Sequence, residues 1–137
     1  MARDGELVRN RRDEYLLIDR VALRTALENG ETTSVALVQS YLRRIDTYDR
    51  NGIRLNSVVE LNPHALREAE ESDRRRTAGK SRGPLEGIPF TAKDSYMVKG
   101  MTVANGSPAF ERLVAVRDAF SISILRDAGC VFIGLTN

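Results

Sequence analysis

The sequence predicts an α/β fold in which helices surround a mixed sheet and a βαβ unit lies close to the C-terminus. Three observations carry that expectation. Ile88–Ala92 is a short apolar run with Pro89 near its start, where a strand tolerates proline. Residues 118–128 have helical character and stop at Gly129. Cys130–Leu135 is then a continuous apolar run of the kind found in strands covered on both faces. Strand, crossover helix and strand in this order imply parallel neighbours.

Taken from the N-terminus, residues 1–14 hold Arg3, Arg9, Arg11 and Arg12 with few apolar anchors, which suits a flexible arm. Asp19 can cap a helix from about Arg20 to Glu28 that buries Val21, Leu23 and Leu27 and stops at Asn29-Gly30. Thr33 or Ser34 opens a second helix whose stripe is Val38, Tyr41, Leu42 and Ile45. Residues 56–61 read as a short strand. Asn62 as N-cap and Pro63 at the first helical position then begin a third helix that runs to Ala78 and closes on Gly79. Glu70–Arg74 and Glu71–Arg75 stand four apart in the favourable order, so Arg74-Arg75-Arg76 reads as a solvated charged face. Lys80–Gly87 is a Gly- and Pro-containing connector, and a Gly-rich stretch over 100–108 separates the strand at 88–92 from the last helix.

Composition narrows the class. Of 137 residues, 42% are hydrophobic and 29% charged, an ordinary globular balance. The net charge of +2 is too small to imply nucleic acid or an anionic membrane as partner. No apolar stretch nears the roughly 20 residues needed to span a bilayer, and the charged start is unlike a signal peptide, so the expected location is cytoplasmic. A single cysteine, Cys130, excludes an internal disulfide and a CxxC pair; its apolar neighbours mark it as a buried structural thiol. P-loop, dinucleotide fingerprint and metal-ligand clusters are absent, so no cofactor is implied.

Lys93 is the most suggestive polar residue, because an apolar strand ends on it and Asp94 follows. A free lysine titrates near 10.4, but burial favours the neutral amine and can turn it into a general base. On residue type alone, a Lys-Asp pair at a strand end is more often a structural ion pair. His64, the only histidine, follows Pro63 at a helix start and reads as a surface residue, which argues against a Ser-His-Asp arrangement.

The stretch Gly83-Pro84-Leu85-Glu86-Gly87-Ile88-Pro89-Phe90-Thr91-Ala92-Lys93-Asp94 resembles the segment that carries the catalytic lysine of the amidase-signature family. Lys99-Gly100-Met101-Thr102, Gly106-Ser107-Pro108-Ala109, Leu125-Arg126-Asp127-Ala128-Gly129 and Gly134-Leu135-Thr136-Asn137 are similar to the blocks that follow in that family, in the same order. The resemblance covers about Leu16 to Asn137. It implies the N-terminal part of the amidase-signature fold over 15–137, with Lys93 as the base of a Ser-cisSer-Lys triad acting on a small-molecule amide. It departs from the family at Ser95, where many relatives have Asn, and at Leu135, where Lys is common.

In the family both serines follow the Thr-Asn block, so the resemblance implies a stretch truncated before the nucleophile. Ser95, Ser107, Ser121 and Ser123 do not occupy nucleophile positions, and Ser121 and Ser123 read as helix residues. The expectation is therefore a carbon–nitrogen hydrolase in complete form, inactive as this chain alone, with uncovered core surface that favours self-association. The alternative is a non-catalytic interaction module, or a decayed gene product, that docks on a partner chain.

Overall fold

The computed structural model describes residues 20–137 and the backbone of two short strands, β1 (Val8–Arg9) and β2 (Tyr15–Leu16), which pair antiparallel. The expected arm over 1–14, apart from Val8–Arg9, and the cap at Asp19 lie outside the described residues.

Helix α1 (Arg20–Glu28) takes its expected span. It buries Ala22, Leu23, Ala26 and Leu27, while Val21 faces outward, because the small alanines rather than Val21 share the face of the two leucines. Gly30 at φ +72° turns the chain out of the helix. Helix α2 (Ser34–Arg44) starts with Thr33 as N-cap, its hydroxyl accepting the Ala36 amide at 3.1 Å. A second cap comes from elsewhere in the chain: the Asp73 carboxylate accepts the Ser34 amide at 2.8 Å and the Val35 amide at 3.0 Å.

No local pattern foretells that α2 continues as a π-helix over Ile45–Asn51. Its wider turn matches the Asn51 side chain, which donates to the Asp46 carbonyl five residues back at 3.0 Å. Asp49 is thereby turned inward, where its carboxylate accepts the Ser57 amide at 2.8 Å and the Val58 amide at 3.2 Å. Those bonds start strand β3 (Val58–Leu61).

Strands β4 (Pro89–Lys93) and β5 (Val131–Thr136) complete a three-stranded sheet in the order β3-β5-β4. β3 runs antiparallel to β5 and β4 parallel to it, with helix α4 (Phe120–Asp127) as crossover, so the expected βαβ unit is present in a mixed sheet. β5, with a strand on either side, is buried along nearly its whole length, whereas β4 is only partly covered.

The alternation of side chains along β5 is interrupted once. Phe132 pairs with Phe90 and Gly134 with Thr91, so Ile133 is an extra residue in β5. Without it, Phe132 and Leu135 would face opposite sides of the sheet. With it, both join Ala92, Val98, Met101 and Ile122 in one core cluster. Val131, on the other face, packs with Val38, Ala65 and Ala69 from α2 and α3 (Ala65–Thr77). Asn62 serves the bulge, donating its backbone amide to the Ile133 carbonyl at 2.7 Å and its side-chain amide to the Phe132 carbonyl at 2.8 Å. Its side-chain oxygen accepts the His64 amide at 2.9 Å, and α3 begins at Ala65 with His64 at the N-cap position, so Asn62 and Pro63 form a turn ahead of the helix instead of its N-cap and first helical residue.

The charged face expected on α3 is corrected at two positions. Arg74 is exposed, but Arg75 and Arg76 are partly buried. Arg75 reaches the Glu86 carboxylate at 2.8 Å instead of Glu71, and Arg76 pairs with Asp73 at 2.8 Å while donating to the Glu86 carbonyl at 2.7 Å. A fixed carboxylate with few rotamers left to lose is a better partner than a mobile one on the same helix. The last helix starts at Phe120 rather than Asp118, because Asp118 accepts the Lys99 amide at 2.7 Å and pairs with Arg126.

Candidate active site

The approach to Lys93 is built around a buried carboxylate. Glu86 is only 4% exposed and accepts bonds from the Arg75 guanidinium and, at 2.9 Å, from the Arg82 amide. Burial pushes its carboxyl up, but bonds from Arg75, the Arg82 amide and Ser72, with the Arg75 charge, outweigh it and hold the group below its ordinary value. Gly87 follows at φ +79°, packed so closely against Ser34, Ser72 and Arg76 that a Cβ would collide with them. Gly129 at φ +88° likewise leaves room for Glu86, whose carboxylate lies within 2.9 Å of where a Cβ would stand. The Gly87 amide donates to the Gly129 carbonyl at 2.8 Å and the Val131 amide to the Ile88 carbonyl at 2.9 Å, so β4 and β5 enter the sheet side by side.

From that shared start the two strands also end together. Lys93 pairs with Thr136, and the Asp94 amide donates to the Thr136 carbonyl at 2.7 Å. The Tyr96 amide then donates to the Lys93 carbonyl at 2.9 Å and closes a turn. In the alternation of β4, Ala92 takes the core position and Lys93 points away from it.

The expected desolvation of Lys93 is not found in this chain: its side chain is 55% exposed, since β4 is an edge strand with no neighbour on that side among the described residues. The Lys93 ammonium stands 4.0 Å from the Asp94 carboxylate, a separation and exposure at which the pair stabilises little. Asp94 itself is buried, and its other oxygen accepts the Gly106 amide at 3.1 Å. Lys93 borders a shallow cavity of about 250 Å³ shared with Phe90, Tyr96, Ser121, Ile122 and Leu125. Ser121, which the sequence marks only as a helix residue, is one, and the helix brings it to that cavity.

Other sequence-level candidates lie apart. His64 is exposed and borders a larger cavity of about 510 Å³ with Glu60, Arg67, Lys99, Asp118 and Arg126, which shares no lining residue with the Lys93 cavity. Cys130 is buried, and burial followed by the Glu86 charge pushes its thiol up, as suits a structural residue. Ser107 precedes a short 3₁₀ turn without a side-chain capping bond, so its hydroxyl does not make the turn. The structural part played by three buried carboxylates, Asp49, Glu86 and Asp94, escapes a reading of the sequence. Glu86 does carry a signal: an acid flanked by Gly83, Pro84 and Gly87 has backbone close on every side, where a carboxylate finds donors.

No helix among the described residues is long and apolar enough to cross a membrane. In comparisons with known proteins, the Amidase family model matches residues 36–137. The chain is 40% identical over 114 residues to a glutamyl-tRNA(Gln) amidotransferase subunit of Salinibacter ruber, covering 83% of this chain and 22% of that protein. Among solved structures, the native peptide amidase from Stenotrophomonas maltophilia is 44% identical with a TM-score of 0.85, over 89% of this chain and 25% of that one. An amidase family protein from Bacillus anthracis matches with a TM-score of 0.82 at 31% identity, over 89% of this chain and 24% of that one. The chain thus spans about a quarter or less of the length of these relatives.

Proposed function

The chain belongs to the amidase-signature family, and on that premise we propose that it is the lysine-bearing portion of a hydrolase that cleaves carbon–nitrogen bonds of amides. Lys93 is the base of the reaction. It takes the proton of a bridging serine, which takes that of a second serine as the latter attacks the amide carbonyl; the relay returns the proton to the nitrogen as the C–N bond breaks and the amine leaves, and water activated by the same relay hydrolyses the acyl-enzyme to the acid and the free serine. Backbone amides stabilise the oxyanion of each tetrahedral intermediate. Neither serine lies within residues 1–137, so this stretch alone is inactive, and residues 15–137 form the first part of a larger catalytic domain. The substrate is a small-molecule amide, no cofactor is required, and the site of action is cytoplasmic.

The observation that carries this reading is the placement of Lys93 at the joint C-terminal end of the parallel strands β4 and β5, where α/β proteins gather their reacting groups. The relatives include a peptide amidase and a glutamyl-tRNA(Gln) amidotransferase, whose names share amide chemistry. The test is amide hydrolysis by the product of the complete reading frame. Lys93→Ala is expected to abolish turnover with the fold intact, since loss of one member of a coupled triad removes most of its rate. Undiminished turnover in Lys93→Ala, or none in a folded parent across simple amides, overturns the proposal.

A further inference from the structure

Asparagine followed by glycine occurs three times, at Asn29-Gly30, Asn51-Gly52 and Asn105-Gly106. In such a pair the glycine nitrogen can reach the asparagine side chain, because no Cβ stands in the way. Once that nitrogen has lost its proton it bonds to Cγ, the Cγ–Nδ2 bond breaks, and Nδ2 takes up a proton and leaves as ammonia. The ring formed is a succinimide. Water opens it at one carbonyl to aspartate or at the other to isoaspartate, in which the main chain runs through the former side chain. Amide and water thus become acid and ammonia, with no oxidant or catalyst required.

The structure separates the three pairs. Asn51 donates its side-chain amide to the Asp46 carbonyl at 3.0 Å and to the Asp46 carboxylate at 2.9 Å, which holds it at the end of the π-helix. Asn29 donates its own to the Glu31 carboxylate at 3.0 Å, and the backbone amides of Asn29 and Gly30 donate to the Thr25 and Leu27 carbonyls. Asn105 is exposed, and its side chain has no partner among the described residues. It sits in a turn closed by the Ser107 amide donating to the Ala104 carbonyl at 2.8 Å, with φ +45° at Asn105 and +68° at Gly106, the primed geometry that Asn-Gly favours. One bond opposes the reaction there: the Gly106 amide donates to the buried Asp94 carboxylate at 3.1 Å. Loss of that amide proton would set a second negative charge against the carboxylate, so Asp94 keeps the nitrogen protonated. We infer that Asn105 is a site of spontaneous conversion to isoaspartate, with the Asp94 carboxylate as the brake that sets its rate. Conversion puts a new carboxylate and an extra main-chain carbon into the turn that Asp94 holds, and so weakens the tie between that turn and the residue next to Lys93.

The test incubates the 137-residue chain at mildly alkaline pH, digests samples over time at low pH and reads each pair by mass spectrometry, with electron-transfer fragmentation to tell isoaspartate from aspartate. Asn105 is expected to convert several-fold faster than Asn29 and Asn51, with isoaspartate as the main product. Asp94→Asn keeps an acceptor for the Gly106 amide but removes the charge. It is expected to raise the rate at Asn105 several-fold and to leave the other two pairs unchanged. Asn105→Gln, whose longer side chain closes the ring far more slowly, is expected to abolish the signal at that position. An Asn105 that stays intact through the time course, or trails either of the other pairs, overturns the inference. So does an unchanged or lowered rate at Asn105 in Asp94→Asn, or an equal rise at all three pairs, which would make general unfolding the cause.

Discussion

Asp94 receives the Gly106 amide on one carboxylate oxygen at 3.1 Å, which ties the residue after Lys93 to a turn twelve positions downstream. Asp94 is buried, and a hydrogen bond accepted by a carboxylate contributes more than one between neutral groups. Asp94→Ala should therefore lower stability by about 1–3 kcal/mol. Asp94→Asn, which keeps an acceptor oxygen, should lose less. Urea unfolding midpoints of the two variants check the order.

Removing Arg75 leaves the Glu86 carboxylate buried with its main partner gone. The expected loss for Arg75→Ala is about 3 kcal/mol, the lower end for a broken buried pair because Arg75 keeps some exposure. Arg75→Lys should recover only part of it, since an ammonium cannot match the forked contact. Equilibrium unfolding in denaturant separates the three proteins.

Acid should destabilise the fold through the same carboxylate. Unfolded, Glu86 titrates near 4.5, and in the fold it is held lower. Its stabilisation is thus complete above the unfolded value and is lost as pH falls through the folded one. Asp49 acts with the same sign: the Ser57 hydroxyl, ahead of an opposing burial effect and helped by the Ser57 and Val58 amides and Arg50, lowers it from 3.8. The unfolding midpoint should hold steady above about pH 5 and drop on further acidification. Glu86→Gln should flatten part of that drop in a pH series of thermal melts.

Gly134 is required by approach rather than by dihedral angle. A Cβ there would strike the Glu60 carbonyl oxygen and stand 3.1 Å from the Leu61 Cα, both backbone atoms of β3. Gly134→Ala should cost about 1–3 kcal/mol, as overpacking does, and loosen β3 selectively. Hydrogen exchange at Leu61 and Asn62, measured against β4 amides, shows whether the loss is local.

Cys130 should resist alkylation at neutral pH until the chain unfolds, because it is buried and its thiol is held above its ordinary value. Iodoacetamide added with and without denaturant, with uptake read by intact mass, tests this. Rapid reaction in the folded protein would show that the cover over β5 opens readily.

Legibility follows the range of the forces involved. The extent of helix α1 is readable, because its apolar spacing and its stop at Asn29-Gly30 are local, although Val21 faces outward. The βαβ unit is readable for the same reason, down to the parallel pairing of its strands. The π-helix after α2 is not, since it answers to bonds that Asp49 makes with Ser57 and Val58, across a loop. Arg75 and Arg76 mislead because helical spacing offers partners four residues away, while Glu86 offers a fixed and buried one.

By itself the sequence determined the α/β class, the order of helices and strands, the position of Lys93 at a strand end and the resemblance that names its family. Each follows from short-range pattern, turn chemistry or motif. Only the tertiary structure decided that Ile133 is a bulge which puts Phe132 and Leu135 on one face, that Glu86 and Asp94 are buried anchors on either side of β4, and that Lys93 stands at an exposed edge. Those outcomes depend on which distant backbone groups and charges come within hydrogen-bonding reach, and a linear pattern carries no record of that distance.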